Sequence, residues 1–103
     1  MKPGAIHALS FTIGVPFEQN HQDAAAAQAP LNSTAMFWNW NGGYKFLKID
    51  GLTTGLPTGH NVHVGSTGCL PGSTPNSVAS CSEPNRSSVT LHGFNATSSV
   101  VVF

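Results

Sequence analysis

AIHALSFTIGV, residues 5–15, decides the fold. Leu9, Phe11, Ile13 and Val15 fall on one face and Ser10, Thr12 and Gly14 on the other, which is the period of two of a half-buried strand. Pro16, unable to donate to a ladder, ends it. The same pattern returns downstream in shorter pieces. Residues 36–40 and 44–49 are aromatic and apolar segments on either side of Asn41, Gly42 and Gly43, the turn chemistry of a hairpin. Residues 61–64 read as a short strand, and Val89 and Leu91 alternate with Thr90 and His92. Residues 100–103 read as a last apolar strand. Between these, residues 17–34 form a long connection with a short helix near Ala24, and residues 50–59 and 70–86 are loops. The expected fold class is all-β, a partial antiparallel β-sandwich with long loops and one short helix, forming a single domain over residues 1–103.

Composition supports strands and turns over helices. Ser, Thr and Asn supply 28 residues, with 11 Gly and 7 Pro besides. Only 8% of the chain is charged, four basic residues against four acidic. Binding to nucleic acid or to an anionic membrane surface needs clustered Lys and Arg, so both are excluded as the main activity. No apolar run approaches the roughly 20 residues that span a bilayer. The first ten residues lack the apolar core of a secretion signal. No Gly-x-Ser-x-Gly elbow or phosphate-cradling loop is present, and the four carboxylates, Glu18, Asp23, Asp50 and Glu83, form no spaced catalytic pair. The expectation is a protein that is not an enzyme.

The residues that can carry chemistry are cysteines, histidines and tryptophans. Cys69 and Cys81, both in turn-rich sequence, suit a disulfide closing a short loop, with free thiols or thiolate metal ligands as the alternative. A bridge implies an oxidising compartment. Five histidines stand against eight charged residues, and imidazole is a common ligand of copper, zinc and nickel. His60 and His63, three apart on a strand, face opposite sides, and the glycines after His63 make it the better ligand of the two. His21 lies in the long first connection, where a ligand can be held at a rim. Trp38 and Trp40 share one strand face, which suits core or interface packing, a sugar-stacking platform or an oxidisable pair beside a redox metal.

Ordered motifs then carry a resemblance. Residues 14–21 (GVPFEQNH), 29–32 (APLN), 36–40 (MFWNW) with Gly43, Tyr44, Lys45 and Phe46, residues 63–69 (HVGSTGC), and Cys81 with Pro84, Asn85 and Arg86 together resemble the MbnP family, the four-cysteine members of the metallo-mystery pair system. The resemblance implies a periplasmic or secreted copper-binding β-sandwich. It also implies a partner, a dihaem cytochrome c peroxidase-like enzyme of the MauG type, that oxidises a tryptophan to kynurenine. Carried onto this chain, the oxidised residue is Trp38 or Trp40, and the metal-binding histidines of the matching motifs are His21 and His63. Family members are longer, with a second pair of cysteines, so this chain is expected to be truncated at both ends relative to them. The competing reading is an extracellular carbohydrate-binding module in which Trp38, Trp40 and Tyr44 stack on a sugar.

Overall fold

A computed structural model describes residues 6–102. The strands are β1 (Ala8–Ile13), β2 (Phe37–Asn39), β3 (Gly43–Tyr44), β4 (Leu47–Gly51), β5 (His60–Val64), β6 (Thr67–Pro71), β7 (Val78–Glu83) and β8 (Ser87–His92), with one α-helical turn, α1 (Phe17–Asn20). They pair antiparallel as β1–β8, β2–β3, β4–β5 and β6–β7. The fold class is all-β, a partial antiparallel sandwich.

The chain divides into two compact units. In one, β1 pairs with β8. Leu9 lies opposite Leu91 and Phe11 opposite Val89. These form the half-buried face that the alternation requires. On the other face Ser10 and Thr90 exchange a hydroxyl hydrogen bond of 2.9 Å. Residues 100–102 are not a strand, contrary to the sequence reading. Val100 and Val102 are exposed at 83% and 85%, because an apolar run without a ladder partner has nothing to pair with. Phe103 lies outside the described residues.

The second unit, residues 14–86, has a small and partly polar centre. Asn20, at the end of α1, is 1% exposed. Its Oδ1 accepts from the Tyr44 backbone N–H at 2.7 Å, and its Nδ2 donates to Ser66 Oγ at 3.3 Å. Ser66 Oγ in turn donates to the Pro84 carbonyl at 2.8 Å. One amide thus ties together α1, β3, the link between β5 and β6, and the segment after β7. Gly43, with φ +74°, leaves room for it, since a Cβ there would lie 2.5 Å from Asn20 Oδ1. Tyr44 stacks on Phe37, ring centroids 4.8 Å apart, and donates its hydroxyl to the Leu31 carbonyl.

Two local expectations change here. The hairpin predicted from residues 36–49 forms only as β2–β3, and residues 47–51 leave it to pair with β5. The hand-over is made at Phe46, whose N–H donates to the Val64 carbonyl at 2.6 Å. Residues 70–86, read as a loop, contain β7 and the end of β6. Their small and polar side chains give no alternation. The pairing is instead held by a covalent bond between directly opposite residues, Cys69 and Cys81.

Candidate metal centre

His21 is positioned by α1 behind it and by the chain reversal at Trp40. Its Nδ1 lies 2.8 Å from the Trp40 carbonyl oxygen. A carbonyl only accepts, so Nδ1 carries the proton and Nε2 keeps the lone pair. That Nε2 lies 3.3 Å from Cys81 Sγ and 3.5 Å from Asn20 Nδ2. The Phe17 ring, one turn earlier, packs on the imidazole at 5.2 Å. The candidate donor atoms of His21, Cys69 and Cys81 all lie within 4.8 Å of one another. Of the alternatives open to the cysteines, the structure has the disulfide, so neither sulfur is a thiolate ligand. A cleft of about 540 Å³ opens beside His21, lined also by Asp23, Phe37, Asn39 and Trp40.

His63 is held differently. On the β4–β5 hairpin Lys48 lies opposite His63 and Asp50 opposite Asn61, so these four side chains share one face. His63 Nε2 donates to Asp50 Oδ1 at 2.7 Å, which leaves Nδ1 as the nitrogen with an available lone pair. Lys48 Nζ lies 3.5 Å from the other carboxylate oxygen. The His63 hydrogen bond is the largest influence on the Asp50 carboxyl and outweighs the opposing desolvation, and the His63 and Lys48 charges add smaller contributions, so the carboxyl is held below its ordinary value. The Trp38 ring lies 6.3 Å from the His63 ring, with Lys45 Nζ 5.8 Å above the indole. Gly65 permits this approach, since a Cβ there would meet the indole at 2.5 Å.

Each of these two histidines therefore meets one of the two tryptophans, His21 through the Trp40 main-chain carbonyl and His63 through the Trp38 ring. His63 is not among the donor cluster around His21. Two residues that matter were not singled out in the sequence. Asp50 looked like the start of a loop, and the signal that finds it is the β4–β5 register, which sets it diagonally across from His63. Asn20, beside His21, is the buried hub, and a lone Asn in a loop-like stretch gives no sign of that. Tyr44, a member of the proposed sugar platform, is 4% exposed with its hydroxyl engaged, so it offers no stacking face.

Among the described residues no helix is long and apolar enough to cross a membrane. A search of curated proteins finds no match. Among solved structures, the chain is similar to MbnP from Methylosinus trichosporium, with a TM-score of 0.78 and 29% sequence identity. The likeness covers 91% of this chain but 38% of that protein, so the chain spans well under half the length of its relative. The MbnP family profile matches residues 1–102, and on that match the chain belongs to the MbnP family.

Proposed function

We propose that this chain is a non-enzymatic copper-binding protein, with His21 and His63 supplying the ligand nitrogens. The supporting observation is the paired arrangement of histidines and tryptophans. Each imidazole has one nitrogen committed to an oxygen acceptor, the Trp40 carbonyl or the Asp50 carboxylate, which leaves the lone pair on the other, His63 Nδ1 and, beside the Cys81 sulfur, His21 Nε2. Metal-binding histidines are commonly oriented by such an acceptor on the second nitrogen. The donor type suits copper, since imidazole is a common copper ligand and the sulfurs are withheld in the disulfide. Copper, when bound, supplies a one-electron couple. The chain's own part is to fix the two ring tautomers and to hold the Trp38 indole beside the His63 ring.

On this reading Trp38 is the residue oxidised to kynurenine by a dihaem MauG-type partner. It is 41% exposed, so another protein can reach it, and its ring is the one close to a ligand imidazole. The disulfide suits a periplasmic or secreted location, where thiols are oxidised.

Anaerobic titration of the oxidised chain with Cu(I) tests the reading. Replacing His63 by Ala is expected to lower affinity by at least about tenfold, the loss produced even by removal of an outer-shell partner. An affinity unchanged in both His63→Ala and His21→Ala would overturn it. Trp38→Phe, co-produced with the partner enzyme, is expected to remove the kynurenine mass from the peptide spanning β2.

A further inference from the structure

The His21 nitrogen that keeps its lone pair faces a sulfur atom that has no proton to give. The Trp40 carbonyl fixes the tautomer, and Nε2 then lies 3.3 Å from Cys81 Sγ. The Asn20 amide lies 3.5 Å from that Nε2, beyond a good hydrogen bond. In the oxidised protein this lone pair is poorly used. Once the disulfide is opened, the same atoms are the donor set of a metal site.

We propose that reduction of Cys69–Cys81 creates a site for a tetrahedral divalent ion of the zinc class, bound by both thiolates and His21 Nε2. Such a site shares His21 with the copper reading but uses nothing of His63, and it stands if that reading fails. The chemistry balances as follows. A dithiol reductant supplies two electrons and two protons, the Sγ–Sγ bond breaks, two thiols form, and the reductant leaves as its own disulfide. The metal then displaces both thiol protons into solvent, and His21 donates through Nε2 while Nδ1 keeps its bond to the Trp40 carbonyl.

The distances suit this ion. Zinc–sulfur bonds of about 2.3 Å and zinc–nitrogen bonds of about 2.0 Å at tetrahedral angles put sulfur and nitrogen about 3.6 Å apart and the two sulfurs about 3.8 Å apart. The Cys81–His21 separation is already 3.3 Å, and all three donors lie within 4.8 Å. Once the bond is broken, side-chain rotation at opposite residues of one hairpin is what must bring the two sulfurs and the nitrogen to these spacings. Water fills the fourth position, as in other sites with three protein ligands. The bond is also open to a reductant. Both cysteines are half-buried, and Gly68, Leu70, Ser80 and Ser82 beside them are exposed.

The test uses the full chain, reduced with a water-soluble phosphine that ends as its oxide, then titrated anaerobically with Co(II) and back-titrated with Zn(II). Stoichiometric binding with thiolate-to-cobalt charge-transfer absorption is expected in the reduced protein and none in the oxidised one. His21→Ala should weaken Zn(II) binding by at least about tenfold, and His63→Ala should leave it unchanged. Should His21→Ala not fold, the ring resonances of the native protein decide instead, with those of His21 shifting on Zn(II) addition and those of His63 staying put. A reduced chain that shows no charge-transfer band, or binding indifferent to His21, overturns the proposal. A reduced chain that unfolds and is not refolded by Zn(II) does so equally.

Discussion

His21 and His63 sit in two regions built on different physics. Around His21 the chain is tied by a disulfide and by a buried amide, and the ring is anchored to main chain. Around His63 there is a two-stranded hairpin, with the Trp38 indole against one end. The His63 ring is anchored to a carboxylate on a solvent-facing surface, and the hairpin's opposite face carries Leu47, Ile49, Val62 and Val64, all at least 36% exposed. Apolar burial, usually the dominant favourable term in folding, is scarce in both. Order near His21 comes from cross-linking and hydrogen bonds, and order near His63 from a single strand pairing. Breaking either kind of tie should therefore act locally and by different amounts.

The largest effect is expected from the cross-link. Replacing Cys69 and Cys81 by Ser together should lower stability by about 3 kcal/mol, the chain-entropy value for a loop of this size. Urea unfolding measures the loss, and hydrogen exchange shows where it falls. Amides of β6 and β7 should lose protection before those of β4 and β5, and equal loss in both hairpins would erase the contrast between the two regions.

Asn20→Ala comes next. It strips the Tyr44 N–H and Ser66 of their buried partner and should cost about 1–3 kcal/mol. Asn20→Asp keeps an acceptor for the Tyr44 N–H and loses only the donor to Ser66, so it should recover part of the loss at acid pH, where the added carboxyl is neutral. Tyr44→Phe is smaller, about 1 kcal/mol for the hydroxyl that reaches Leu31. It carries its own signature. Burial first, and the nearby Asp23 charge second, raise the Tyr44 hydroxyl above its ordinary 10.0. The folded state then holds a proton that the unfolded chain releases, so this contribution is complete below about pH 10 and is lost as pH rises through the raised value. Tyr44→Phe should remove that alkaline slope, and a slope unchanged in the variant would assign it elsewhere.

These ties differ in how far the amino-acid sequence reveals them. The β1–β8 pair was legible because Leu9, Phe11, Val89 and Leu91 alternate with hydroxyl residues, and alternation is a property of each strand alone. β7 was not, because Val-Ala-Ser-Cys-Ser-Glu has no apolar face, and its pairing rests on Cys69 meeting Cys81. The break between β2–β3 and β4 was hidden for a related reason, since a bond from Phe46 to Val64 depends on a strand that lies eighteen residues further on. In the candidate site, ring-bearing residues are recognisable by type, and so His21, His63, Trp38 and Trp40 could be named from the sequence. Their orienting partners, the Trp40 carbonyl, Asp50 and Asn20, act through geometry and carry no type-specific signal.

The smallest effect on stability, and the sharpest probe of the hairpin, is expected at Asp50. Its carboxyl is held below the ordinary 3.8 by the His63 hydrogen bond, with the His63 and Lys48 charges adding to it. A depressed carboxyl means that the unfolded chain takes up a proton before the folded one does. The contribution is then fully present above about pH 4 and disappears as pH falls through the lowered folded value, the reverse of the Tyr44 case. Because Asp50 is solvent-facing, Asp50→Asn should leave the urea midpoint at pH 7 nearly unchanged. His63→Ala should instead move the Asp50 carboxyl back up toward its ordinary value, read by NMR titration of the side-chain carbon, while Lys48→Ala moves it less. If Lys48→Ala produced the larger rise, the hairpin would be organised by charge rather than by the directional bond that fixes the His63 tautomer, and Nδ1 would no longer be the nitrogen poised for metal. The same pair of variants therefore tests whether His63, like His21, is oriented by its second nitrogen, which is the feature on which the copper reading of this hairpin depends.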